Sequence, residues 1–326
     1  METKLNAHSR RIIWQSLISL SAVFILPAAV GAQQLAHYLP GSGVLFQHNP
    51  AMAGRWDYLE FGAVFRQQWL DFQDAPRSGF AYFEYPWLDK NISFGGHLLH
   101  DQAGLFTQNT ASLSYAYRFQ PGLVHTYDQL AVGIQGTFYQ SRLDGSRATF
   151  NDLNDPLIVN SRVSNMTVNF GAGLYYASTS ESRQEDESFF YVGLGANQLI
   201  PQQHLFSEEE KSLAITQKIH TNAIIGGRLN NNDYFLEPFL WVDYLPPSVF
   251  LMTMGFRLEI YQAFFSELRV STNGTVGGLV GIILKNGVLR DGFLRIGVGS
   301  NHNLTSAGGI RGPGLEFNLA YRFHFQ

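Results

Sequence analysis

The alternation of apolar and polar positions is the dominant signal in this chain. From Leu315 to Phe325 every odd position is apolar: Leu315, Phe317, Leu319, Tyr321, Phe323 and Phe325. The even positions between them read Glu316, Asn318, Ala320, Arg322 and His324. A period of two assigns the two sets to opposite faces of a strand. Large apolar groups on one face, backed by charge on the other, fit a strand with lipid outside and water inside. An aromatic pair near the extreme C-terminus is also typical of outer-membrane barrels. A half-buried strand of a soluble sandwich is the competing reading of this segment alone.

The pattern recurs upstream. Leu113, Tyr115, Tyr117 and Phe119 alternate with Ser112, Ser114, Ala116 and Arg118. Met166 to Tyr176 sets Val168, Phe170 and Leu174 against Thr167, Asn169 and Gly173, and Phe250 to Ile260 repeats the scheme with Arg257 and Glu259 on the polar face. Weaker segments begin near Tyr58, Gly79, Asn91, Tyr127, Phe189, Ser212, Asp233, Gln262, Thr275 and Gly292. Bacterial barrels close with even strand numbers, so the tally points to about 14, with about 12 or 16 as its neighbours. The predicted fold is an all-β transmembrane antiparallel β-barrel with an irregular, plug-like N-terminal segment. A cation facing lipid at mid-depth costs about 2–4 kcal/mol, so Arg118, Arg257 and Arg322 are predicted to face the lumen.

Turn chemistry falls between these segments, at Asn230–Asp233, Lys285–Gly287 and Arg290–Gly292. Longer polar connections lie at Leu143–Asn165, Thr179–Ser188 and Gln202–Ser212, and all three are expected on the extracellular side, where barrel loops are long.

The N-terminus adds an export signal. Lys4, Arg10 and Arg11 precede a mostly apolar stretch, Ile12–Val30, and Val30-Gly31-Ala32 offers small residues for cleavage before Gln33. The expected organisation is a signal peptide over 1–32, a plug or periplasmic segment over 33–57 and an outer-membrane barrel over 58–326. Composition agrees. There is no Cys, charged residues are 15% and aromatics 14%, with 32 Gly. The apolar residues are thus hidden by alternation rather than in blocks. Disulfides and thiolate metal sites are excluded. The net charge of −4 comes without a basic patch, which argues against nucleic acid as a partner.

Three further elements follow the export signal in order. Asn49-Pro50-Ala51-Met52-Ala53-Gly54 is irregular and turn-prone; Phe65-Arg66-Gln67-Gln68-Trp69 opens on a strand pattern; Ala75-Pro76-Arg77 marks a turn. Together they resemble the PorP/SprF family of outer-membrane proteins in the type IX secretion and gliding apparatus of Bacteroidota. That family shows an NPA-x-AG element, an aromatic-R-x-QW strand and an AP-(K/R) turn. Gly95–Gly104 and Tyr115-Ala116-Tyr117-Arg118 are similar to its glycine strand and its YAYR strand. Met52 stands where Tyr is commoner. The resemblance covers about residues 34–120 and returns at Tyr321-Arg322-Phe323. It implies a non-enzymatic role in export or surface attachment of particular cargo, such as adhesins. The implied partners are outer-membrane lipid, the translocon, periplasmic ring or motor subunits and the secreted cargo. It marks Asn49, Pro50, Ala51, Gly54, Arg66, Gln68, Trp69, Ala75 and Pro76 as signature or partner-docking positions, and implies no cofactor.

Other constellations are weaker. Arg66 and Trp69 are three apart, so on a regular strand they face opposite sides: Arg66 toward the lumen, with Asp71 or Glu60 as partner, and Trp69 at the interface belt. His97 and His100 likewise point apart and cannot share one metal ion. Glu181, Glu185, Asp186, Glu187 and Glu208–Glu210 are expected to be solvated loop carboxylates rather than a Ca²⁺ site. No local motif marks a nucleophile or a phosphate loop. The rival function is a transport barrel for hydrophobic or small solutes, similar to the fatty-acid transporter family, which also carries an NPA-like element.

Overall fold

The computed structural model describes residues 44–70, 75–145, 162–179, 187–205, 214–247, 249–261, 263–285, 292–304 and 312–324. Fourteen antiparallel strands close into one barrel. They are β1 (Tyr58–Gln67), β2 (Arg77–Trp87), β3 (Ile92–Ala103), β4 (Phe106–Phe119), β5 (Gln129–Leu143), β6 (Thr167–Ser178) and β7 (Phe189–Asn197), followed by β8 (His220–Asn230), β9 (Tyr234–Leu245), β10 (Val249–Ile260), β11 (Phe264–Ser271), β12 (Thr275–Lys285), β13 (Gly292–Asn303) and β14 (Pro313–His324). Each strand pairs with its sequence neighbours. β1 then closes on β14 from Tyr58 opposite His324 to Gln67 opposite Leu315. Closure satisfies every strand edge, which a sheet within hydrocarbon requires.

The faces divide as the alternation predicts. Leu113 is 65% exposed, whereas its neighbours Ser112 and Ser114 are buried. Leu315, Phe317 and Leu319 point outward and Glu316 is buried inside. The inner wall is polar on the side of β4–β6 and charged around β8–β14.

Two expectations change. The strand expected from Ser212 begins at His220; Ala214–Thr216 instead forms a short ribbon with Gln203–Leu205. The second concerns loop sides. Tyr58 and His324 sit at one rim, the terminal rim, and strand parity puts the β5–β6 and β7–β8 connections at the other. These are the longest, which identifies that rim as extracellular. Thr179–Ser188 joins β6 to β7 and therefore belongs to the terminal rim, not the extracellular one.

The connection from β4 to β5 is built around Asp128. Its carboxylate accepts from the Val124 N–H at 2.6 Å, the His125 N–H at 3.1 Å and the Tyr176 hydroxyl at 2.8 Å. Burial works against its charge, but these donors outweigh it and hold the carboxyl below its ordinary value. A depressed carboxylate stabilises the fold fully above its unfolded value, and that contribution is lost as pH falls through the folded value. Asp128→Asn is therefore expected to speed amide exchange at Val124 and His125 by roughly tenfold or more at neutral pH. The wild-type turn should loosen in the same way only below the usual carboxylate range.

Candidate functional site

Residues 44–57 lie inside the barrel. Two 3-10 turns, Leu45–Gln47 and Pro50–Met52, carry the chain across the lumen before β1 begins. Asn49 caps the second turn. Its Oδ1 accepts from the Ala51 N–H at 3.1 Å, and its Nδ2 donates to the Leu174 carbonyl on β6 at 3.0 Å. Pro50 suits the next position because its missing N–H is one the turn would leave unpartnered. Ala51 and Ala53 are small enough to be fully enclosed, and Leu45, Ala51, Met52 and Trp56 share one apolar cluster with Tyr175, Tyr191 and Trp241 of the wall.

An irregular segment in a lumen needs partners for its backbone. The wall supplies them. The His48 carbonyl accepts from Asn197 Nδ2 at 2.6 Å and Asn222 Nδ2 at 2.8 Å. The Ala53 carbonyl accepts from Ser93 Oγ at 2.8 Å and from Arg118 at 2.9 Å, and Arg118 also donates to the Gly54 carbonyl. The Gly54 N–H donates to Glu84 Oε2 at 2.6 Å. Gly54 adopts φ +55°, a left-handed conformation that favours glycine.

Glycines on the wall make the close approach feasible. A Cβ at Gly173 would overlap Asn49 Oδ1, one at Gly133 would overlap the Ala51 nitrogen, and one at Gly195 would lie 2.6 Å from the His48 carbonyl. The plug therefore rests on a bare strip of β5, β6 and β7 backbone.

A charge network fills the lumen beside it. Glu237 on β9 lies 3.7 Å from Arg55, 3.6 Å from Arg228 and 3.5 Å from Arg257, and accepts from the Tyr191 hydroxyl at 2.9 Å. Arg257 reaches Glu267 at 3.4 Å, Glu267 meets Arg269 at 2.9 Å, and Arg269 spans to Glu316 at 3.2 Å. That span is open because β12 offers Gly277 beneath Arg269. Arg295 pairs with Glu259 at 2.8 Å, and Arg322 with Glu60, which also accepts from Tyr82 at 2.6 Å. Pairing offsets the desolvation cost that isolated charges would suffer. Arg55 belongs to the plug, so the network also ties the plug to the wall.

The predicted residues separate into two groups. Asn49, Pro50, Ala51 and Gly54 are all buried in the plug. Arg66, Gln68, Trp69, Ala75 and Pro76 gather at the extracellular end of the β1–β2 hairpin. Along β2 the groups are separated by the run from Ser78 to Glu84, about 20 Å of strand. Arg66 faces inward on one row with Ser78 and Asp101, and Ser78 Oγ donates to Asp101 at 2.5 Å. Glu60 is engaged by Arg322 rather than Arg66, and Asp71 lies outside the described residues. Trp69 is past the strand end, half-buried with φ +46°, so its side is set by that turn rather than by strand parity. The Gln68 N–H donates to the Pro76 carbonyl at 2.8 Å and the Leu70 N–H to the Pro313 carbonyl at 3.1 Å. This group thus clamps the hairpin to β14, where the barrel closes. Arg118, Arg257 and Arg322 face inward as expected. His97 is buried inside while His100 faces outward, and no metal-binding cluster occurs among the described residues. Glu187 is buried rather than solvated, while Glu181, Glu185, Asp186 and Glu208–Glu210 lie outside the described residues, as does the segment over 1–32 expected to be a signal peptide.

A family model described as type IX secretion system membrane protein PorP/SprF matches residues 30–321, which include the plug and all but the end of β14. The chain belongs to the PorP/SprF family. Membership makes it an outer-membrane component of type IX secretion. No curated protein matches it. The crystal structure of the Pseudomonas putida toluene transporter TodX is similar with a TM-score of 0.51 and 9% identity, covering 91% of this chain and 96% of that one. The TodX monoaromatic hydrocarbon channel deltaS2 mutant gives a TM-score of 0.50 and 6% identity, covering 87% and 94%. At these identities the likeness concerns the barrel fold alone.

Sequence reasoning missed the wall side of this PorP/SprF site: Gly133, Gly173, Glu84, Asn197, Asn222 and Glu237. Their inward parity was readable, but nothing local shows that they converge on one segment.

Proposed function

We propose that this PorP/SprF protein is a non-enzymatic accessory barrel that supports export or surface attachment of specific cargo, such as an adhesin. Its lumen is not the route. The observation that carries this reading is the plug, held by wall side chains and ion pairs within a barrel of the secretion family. In this reading a signal peptide is cleaved before Gln33, and residues 44–57 serve as the plug. The buried signature residues hold the plug in place. Contact with translocon and with ring or motor subunits then falls to the exposed turns of the terminal rim, and contact with cargo to the extracellular loops.

Deletion of the gene is expected to abolish surface display of one or a few cargoes, read by surface proteomics, while small-solute permeability stays near normal. Undiminished display of every type IX cargo would overturn the proposal. A hydrophobic-solute transporter is the rival. The interior space bordered by Glu60, Arg257, Glu259, Arg295 and Arg322 has a volume of about 50 Å³ and charged walls, a poor host for a hydrocarbon. Uptake of toluene by proteoliposomes would favour that rival instead.

A further inference from the structure

The outward face of β1–β5 contains a trough where most of the barrel presents large side chains. Ala63, Gly79, Ala81 and Ala111 form its floor, with Leu98, Phe138 and Phe317 among its walls, and its volume is about 680 Å³. A further hollow of about 420 Å³ continues toward the terminal rim over Gly96 and Leu113. These volumes fall in the range of about 300–1,000 Å³ usual for small-molecule sites. The small residues make the hollow, since a pleated strand places every second Cβ on this face.

The extracellular end of the trough is polar. Gly79, His100, Asn109 and Gln140 are register neighbours on β2 to β5, and His100 Nδ1 lies 2.7 Å from Asn109 Oδ1. Two residues farther along each strand, on the same face, come Arg77, Gln102, Thr107 and Arg142. Arg77 and Arg142 are exposed. Polar groups aimed at a bilayer are costly in hydrocarbon and favourable at headgroup level. Two cations above polar hydrogen-bonding groups, above an apolar trough, complement a molecule with an anionic head and an acyl tail.

We infer that this face binds one phosphate-bearing acyl lipid of the outer leaflet. Its chain lies in the trough over Gly79 and Ala81, and its phosphate meets Arg77, Arg142 and His100. The site is outside the barrel, so it is independent of the plug and of any cargo. It gives the β1–β5 face a fixed lipid neighbour beside the clamped β1–β2 hairpin.

Native mass spectrometry of the full barrel in detergent tests the inference, with dioleoyl phosphatidic acid, dioleoyl phosphatidylcholine and inorganic phosphate as separate probes. One phosphatidic acid adduct is expected to survive activation that strips phosphatidylcholine, and inorganic phosphate should not be retained. Arg77→Ala and Arg142→Ala should each lower retention about fivefold. Ala81→Phe, which fills the floor, should abolish it while the barrel keeps its heat-modifiable migration on gels. Gly79→Leu is the second filling variant should Ala81→Phe fail to fold. Equal retention of the two lipids by the wild type would overturn the inference. So would undiminished retention in a folded filling variant, or recovery of the protein as a dimer that buries this face.

Discussion

Gly173→Leu is expected to turn a closed barrel into a conducting one. Gly173 faces Asn49 so closely that any Cβ there overlaps the Asn49 side-chain oxygen. Asn49 has little freedom to yield, because the same side chain caps the Pro50–Met52 turn and bonds the Leu174 carbonyl. Overpacking of this kind costs about 1–3 kcal/mol in a soluble core. Loss of the Asn49 bonds adds about 1 kcal/mol each. The wall backbone is held on both sides by strand pairing, so the plug is the part that moves. Its displacement would open a hydrated lumen, and single-channel currents in planar bilayers should appear where the wild type shows few. Gly136→Leu is the control. It lies on β5 with nothing within 4 Å of its added Cβ, and it should leave conductance unchanged. Wild-type conductance in a folded Gly173→Leu barrel would show that the plug does not seal the lumen.

Glu237→Ala is expected to be the most destabilising single substitution in the barrel wall. The carboxylate is the shared partner of Arg55, Arg228 and Arg257. Arg257 retains Glu267 after the change, whereas Arg55 and Arg228 lose their carboxylate partner and keep stacking on Trp56, at 4.7 and 4.2 Å, with Arg55 also bonded to Tyr175. Removing one member of a buried charge cluster costs about 3–5 kcal/mol, because the remaining charges stay desolvated. Urea unfolding in detergent, followed by loss of heat-modifiable migration, should show a midpoint shift of that order. The double variant Glu237→Ala with Arg228→Met should recover part of it, since it also removes one of the orphaned cations. A Glu237→Ala barrel as stable as the wild type would mean that the cluster contributes little net energy.

The two variants probe the same object from opposite sides. Gly173 provides room for the plug, and Glu237 provides the charge that holds its Arg55. Both reside on strands far in sequence from residues 44–57, and neither belongs to a recognisable motif. By contrast, the signature residues Asn49 and Gly54 are conspicuous in the chain, because a proline turn and a left-handed glycine have local requirements. Arg66 was legible as an inward residue, yet its companions were not: Asp101 reaches the same row only through the β1–β2–β3 register, while Glu60 turned out to serve Arg322. Trp69 shows the limit of parity reasoning, since one residue with positive φ at a strand end cancels the two-residue rule.

What the amino-acid sequence determined by itself is the membrane barrel: its alternation, the inward placement of Arg118, Arg257 and Arg322, and the Asn230–Asp233 turn, the other two expected turns lying largely outside the described residues. Side-chain direction in a strand depends only on the next residues along the chain, so it can be read without knowing any partner. Tertiary structure alone decided how the lumen is filled. Asn197 and Asn222 meet His48 across separations of 149 and 174 residues, and Glu237 gathers cations from three separate segments. Such meetings follow from closure of β1 on β14 and from the shared register of all fourteen strands. No local periodicity encodes which inward residues face one another across a ring.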